Sequence, residues 1–209
     1  MTMNDAIRLR PGTVVVLEGL DKAGKSTQVT ALENLLDPAG TVFAHMPSGF
    51  TAFSADVYEI LEDPDRRPRS GVAQQLAHLA CHAENMPLLA EQLETRALLL
   101  DRWWWSTLAY GWYGGSVRDG GFTQKGFEEL IHRVWAPITA SVIFVFDTPH
   151  EEDSNNLADV ADGYTVMLAA NAGIAVQVPE LDESDTTQFI LDELRGRGLT
   201  DPPLQGENG

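Results

Sequence analysis

The chain has 209 residues, with 31 acidic against 14 basic side chains and a formal net charge of −17 at pH 7. That length encloses one core of ordinary size, and the charge weighs against broad nucleic-acid binding, which needs clustered Lys and Arg to displace counterions. Cys81 is the only cysteine, which excludes an internal disulfide or a cysteine-built zinc site and fits a reducing compartment. The opening MTMNDAIRLRPG carries no long apolar run, and no later stretch approaches a membrane span, so a cytoplasmic protein with no signal peptide and no membrane partner is expected.

Thr13 to Glu18 reads as a buried strand, and Ser26 to Leu36 as an amphipathic helix. Thr41 to His45 is a second strand, followed by the turn MPSGF and a helix from about Ala52 to Glu62. DPDRRPRS is a polar loop, and a long helix over Gly71 to Thr95, bent near Pro87, leads into a third strand, Ala97 to Asp101. A helix begins near Trp103 and another spans Phe122 to Trp135, with strands at Ser141 to Asp147 and Ile174 to Val178. Strands alternating with helices predict an α/β three-layer fold, a five-stranded parallel sheet covered on both faces, within one domain over residues 1–196. The Gly- and Pro-rich remainder, 197–209, is expected to be a flexible tail.

The junction of the first strand and helix reads VVVLEGLDKAGKST, with Gly19, four residues, then Gly24-Lys25-Ser26. Between a strand and a helix this spacing predicts a phosphate-binding loop. Glycine lets successive backbone N–H groups converge on phosphate oxygens at a positively polarised helix N-terminus. Gly19, Asp21, Ala23, Gly24, Lys25, Ser26 and Thr27 are therefore the candidate nucleotide-binding residues. Lys25, expected at the surface, would reach the β and γ phosphates of ATP, and Ser26 would ligate Mg²⁺. Ligands in parallel sheets gather at the carboxyl ends of strands, which brings the Met46–Phe50 turn, Asp101-Arg102 and Asp147 to the same edge.

EGLDKAGKSTQ, the helix LAHLACHAENMPLLAEQL and DRWWWSTLAYG together resemble the thymidylate kinases, over roughly residues 12–147. The resemblance implies ATP-dependent phosphorylation of dTMP, with ATP and Mg²⁺ as cofactors and a homodimer. It places Asp21 near the substrate 3′-hydroxyl and metal, Asp101 near Mg²⁺ and the phosphates, Arg102 on a phosphate, and Ser106, Thr107 and Tyr110 in the deoxynucleoside pocket. It also puts Pro47 in the acceptor turn. Family members with a basic residue at the position of Lys22 are those whose mobile lid lacks catalytic arginines, and the expected lid here, about 148–163, contains no Lys or Arg. Lys22 is thus either the charge the lid fails to supply or a solvated loop lysine.

The chain departs from the family in the acceptor turn, where Gly49 replaces an arginine, and on the long helix, where His82 replaces an arginine beside the base and His78 an aromatic that stacks on it. At i and i+4 the two histidines share a helix face and could line the base pocket, bind zinc or simply pack. Trp103-Trp104-Trp105 point three ways on a helix, so core packing competes with base stacking. Arg66, Arg67 and Arg69 could replace the missing arginine or face water. Three functions remain: a dTMP kinase, a kinase of the same build for a modified pyrimidine nucleotide or other small molecule, and a non-catalytic nucleotide-binding protein.

Overall fold

A computed structural model describes residues 6–48 and 50–202. Gly49 and the end of the expected tail, 203–209, lie outside the described residues. Five strands, β1 Val14–Gly19, β2 Thr41–His45, β3 Ala97–Asp101, β4 Val142–Phe146 and β5 Ala175–Gln177, form one sheet in the order β2-β3-β1-β4-β5, all parallel. Every residue of β1, β3 and β4 is buried, as mostly apolar runs require when helices cover both faces. From central β1 the chain fills one side of the sheet and then crosses to β4, which opens a crevice at the carboxyl end of β1.

The helices are α1 Lys25–Glu33, α2 Ala52–Glu62, α3 Gly71–Leu93, α4 Trp104–Leu108, α5 Gln124–Trp135, α6 Ala158–Ala170 and α7 Glu183–Gly196, with a π-helical turn over Ala109–Tyr113. Side-chain caps explain several boundaries: Thr51 accepts from the Ser54 amide, Ser70 from Ala73, Thr123 from Gly126 and Asp182 from Asp185. The Thr123 cap starts α5 two residues later than the sequence suggests. α1 ends short of Leu36 because Leu35 and Asp37 exchange backbone hydrogen bonds with Ile7 instead. Pro87 sits inside α3, which continues through it.

Two expectations need correction. The segment assigned to the lid is shorter, since α6 begins at Ala158 and buries Val160, Tyr164 and Met167, an i, i+4, i+7 stripe, which leaves a loop over 148–157. Residues just past 197 are not frayed: the amide of Arg10 donates to Leu199 O and that of Asp201 to Arg8 O, and Thr200 is buried.

Candidate active site

The phosphate loop leaves β1 at Gly19, whose φ is 129°. A Cβ there would stand 2.0 Å from the Phe146 carbonyl oxygen, so only glycine lets the turn pass β4. Gly19 consequently lies behind the cleft rather than in its wall, unlike Asp21, Ala23, Gly24, Lys25, Ser26 and Thr27, which all line it. Gly24, at φ 93°, turns the chain into the N-terminus of α1. Lys22, at φ 59°, is exposed, lines the same cleft, and accepts the His150 amide on its carbonyl at 2.9 Å.

Lys25 is not at the surface as expected: it is buried, and its ammonium donates to the carbonyls of Gly19, at 3.1 Å, and Leu20. Burial and the charge of Arg102 lower its pKa to about 8, against the pull of Asp101, Asp21 and Glu18. Asn156 fastens the lid loop to this turn by accepting the Asp21 amide at 2.9 Å and donating to the Asp21 carbonyl at 2.8 Å.

At the end of β3, Asp101 Oδ2 meets His45 Nδ1 at 2.8 Å, while its Oδ1 is buried with no partner among the described residues. Arg102 takes a left-handed φ of 73°, which swings its guanidinium over the loop to pair with Asp21, donate to Ser106 Oγ at 2.8 Å and lie 5.5 Å from the Tyr110 ring.

Beneath these groups sits Glu18, which the sequence reading did not single out. It is wholly buried and accepts from the amides of Trp103 and Ser106 at 2.7 and 3.0 Å, from Ser106 Oγ at 2.6 Å and from Tyr164 OH at 2.9 Å. Burial raises its pKa, opposed by the Arg102 charge and by the bonds from Ser106 and Trp103. The carboxylate thereby caps α4 from a distant strand and fixes the segment that carries Arg102, Ser106, Thr107 and Tyr110.

The main cleft, about 750 Å³, is also lined by Pro47, His78, His82, Asp101, Arg102, Ser106, Thr107 and Tyr110, so the expected acceptor residues converge. The buried Asn85 side chain holds the acceptor turn by donating to the Pro47 carbonyl at 3.0 Å. Trp103 both packs and faces the cleft, whereas Trp105 is in the core and Trp104 rests edge-on against His132. Arg66 pairs with Glu59, and none of Arg66, Arg67 and Arg69 lines the cleft, which removes them as substitutes for the missing arginine. His45, Tyr58, Glu62, Gln75, His150, Glu151 and Asp153 also line it. His45 ends a strand and could have been found by the topology rule that found Asp101.

A second cleft of about 240 Å³ lies beyond the loop, between Asp147, Val178 to Leu181 and Thr186. The two share Ala23, Gly24, Thr27 and His150, so they meet over the phosphate loop.

Burial lowers the pKa of His78 to about 4 and that of His82 to about 3, with smaller contributions from Arg102 and from His78 itself. The unfolded chain takes up these protons below about pH 6.5 while the native histidines stay neutral, so stability falls as pH falls from there towards 4 and 3, at about 1.4 kcal/mol per unit for each group. A His78→Gln/His82→Gln chain should lose less stability than wild type between pH 6.5 and 4, measured by urea midpoints. Parallel losses would contradict a neutral pair made of the buried His82 and the half-buried His78. Among the described residues no three His, Cys, Asp or Glu side chains form a metal-binding group.

A parallel sheet with a glycine loop at its crossover, and two clefts that meet over that loop, define a phosphate-loop nucleotide kinase. The thymidylate kinase family model matches residues 17–125, more than half of the chain, which belongs to that family. A thymidylate kinase from a Synechococcus species is 31% identical, with 86% of this chain and 95% of the relative covered. One from Pelotomaculum thermopropionicum is 28% identical over 70% of this chain and 67% of its own length. The crystal structure of the Ehrlichia chaffeensis thymidylate kinase shares the fold at a TM-score of 0.72 and 19% identity, covering 89% of this chain and all of that one. Among the described residues no helix is long and apolar enough to cross a membrane.

Proposed function

We propose that this chain transfers the γ-phosphoryl group of ATP to dTMP in the cytoplasm, giving ADP and dTDP. The observation that carries this is the pair of clefts sharing the phosphate loop, which lets a donor and an acceptor bound on either side meet over Gly24. The smaller cleft takes the nucleoside end of ATP. The larger takes the acceptor, with Pro47, His78 and His82 towards its nucleoside, Ser106, Thr107 and Tyr110 along its wall, and Asp21 near the sugar.

Phosphoryl transfer needs little covalent help from protein, so the residues act by placement and charge. The α1 N-terminus, Lys25 and Lys22 neutralise the transferring phosphoryl group, and Arg102, oriented by Asp21 and Ser106, positions a phosphate. The acceptor phosphate is already nucleophilic, so no general base is required. Mg²⁺ fits the residues present: the partnerless Oδ1 of Asp101 is an acceptor aimed at no protein donor, and Ser26 lines the same cleft. Bound there, the ion would supply charge neutralisation on the β and γ phosphates.

Labelled ATP with a panel of nucleoside monophosphates tests the proposal, the expected result being transfer to dTMP above all others. Transfer chiefly to another acceptor would move the chain to a kinase of different substrate, and calorimetric ATP binding with no transfer would make it a nucleotide-binding protein. The homodimer implied by the resemblance is part of the same proposal and is read by sedimentation.

The Lys22 assignment has its own test. Among 148–157 there is no Lys or Arg, so the loop lysine supplies the charge that the lid lacks. Lys22→Ala should lower kcat by about 10²-fold with little change in ATP affinity, the pattern of a group used in the transition state. Lys22→Arg should retain much of the rate, since a guanidinium supplies the same positive charge from that position. A raised KM for ATP with kcat untouched would reduce Lys22 to a ground-state contact.

A further inference from the structure

His82 on α3 and Trp135 at the end of α5 are both buried, and the indole Nε1–H of Trp135 donates to His82 Nδ1 at 3.2 Å, the rings edge to face with centroids 5.0 Å apart. An indole N–H can only donate, so Nδ1 must carry a lone pair. A neutral imidazole with an accepting Nδ1 holds its proton on Nε2, and burial keeps the ring neutral. His82 lines the α3 wall of the larger cleft beside Gln75 and His78, which leaves Nε2–H as its polar group for a ligand there.

We infer that Trp135 locks His82 as a one-way hydrogen-bond donor, so that the acceptor cleft selects a pyrimidine presenting a carbonyl at its 4-position and rejects one presenting an amino group there. An unpaired histidine could exchange tautomers and accept from an amino group as readily as it donates to a carbonyl. Trp135 removes that freedom, because the alternative tautomer would set two N–H groups against each other in a buried place. A 4-amino base would meet N–H with N–H, leaving both unpaired, and a buried mismatch of this kind discriminates by about 10- to 100-fold. Trp135 is thus a positioning residue acting through His82, and the assignment rests on the nucleoside monophosphate kinase reading of the cleft.

Long-range ¹H–¹⁵N NMR of the ligand-free protein at pH 7 should show His82 as the Nε2–H tautomer, and Trp135→Phe should turn it into a mixture. This reading depends on no nucleotide. By calorimetry, wild type should bind dTMP and dUMP at least about 10-fold more tightly than dCMP, and Trp135→Phe should bring that ratio below about 3-fold, chiefly by improving dCMP. An Nδ1–H tautomer in wild type overturns the inference, as does equal affinity for dCMP and dTMP, and both hold even if the variant fails to fold. Equal binding of dCMP and dTMP by wild type, with dTMP turnover intact, removes the inference alone. Absence of binding by every pyrimidine monophosphate removes the kinase reading and the inference with it.

Discussion

Lys25→Ala is expected to lower phosphoryl transfer by about 10³-fold or more, because a positive group aimed at developing charge in a water-poor cleft is worth several kcal/mol. The ammonium rests on the Gly19 and Leu20 carbonyls, which neutralise none of its charge, so an arriving phosphate gains a cation that is already desolvated and placed. The pKa of about 8 leaves it mostly protonated at neutral pH, and a bound phosphate would raise it further. Removal leaves the Leu20 carbonyl without its buried donor, at about 1–3 kcal/mol, and the Gly19 carbonyl with only the 3.4 Å contact from Arg102 Nη1, so thermal melting must accompany the rates. A folded variant that keeps more than about a tenth of wild-type activity would overturn the phosphate-loop assignment, which requires the lysine in the transition state.

Asp101 should come next. Burial alone would raise the pKa of its carboxyl, but the His45 hydrogen bond and the charges of His45, Arg102 and Lys25 hold it below the ordinary value. It therefore meets the cleft as an anion, with Oδ2 committed to His45 and Oδ1 free for Mg²⁺ or its water. Asp101→Asn keeps the shape and can keep the His45 contact while losing the charge. The expected result is a fall in kcat of about 10²-fold and a shift of half-saturating Mg²⁺ to higher concentration. A wild-type rate and Mg²⁺ dependence would make Asp101 an ordinary strand-end residue.

The phosphate loop, the strands and the convergence of Asp101, Arg102 and Tyr110 were legible because each has a local signature: glycine spacing, a continuous apolar run, or a place at the carboxyl end of a strand. Long-range partnerships left no such mark. Lys25 looks like any loop lysine until β1 and Leu20 enclose it, and Glu18 looks like a charge stranded in an apolar strand until α4 and Tyr164 supply its donors. α6 went unread because ADVADGYTVMLAA has a stripe of only Val160, Tyr164 and Met167, with Asp159 and Asp162 at its start, so the beginning of the run passed as the polar end of the lid. Trp135 lies far from any motif, and its effect on His82 exists only where α3 and α5 pack.

The position of β1 bears on how the protein is made. β1 emerges first from the ribosome but pairs with residues 98–101 and 142–146, and Glu18 gains its last donor at residue 164. Until those segments have been synthesised, β1 has no neighbour in the sheet and its carboxylate lacks its donors. Contacts of such sequence separation slow folding and leave sticky edges exposed in incomplete chains. Chains that end before Tyr164 therefore leave Glu18 short of its full set of donors, so the buried carboxylate that fixes the segment carrying Arg102 and Ser106 is completed only once α6 has been made.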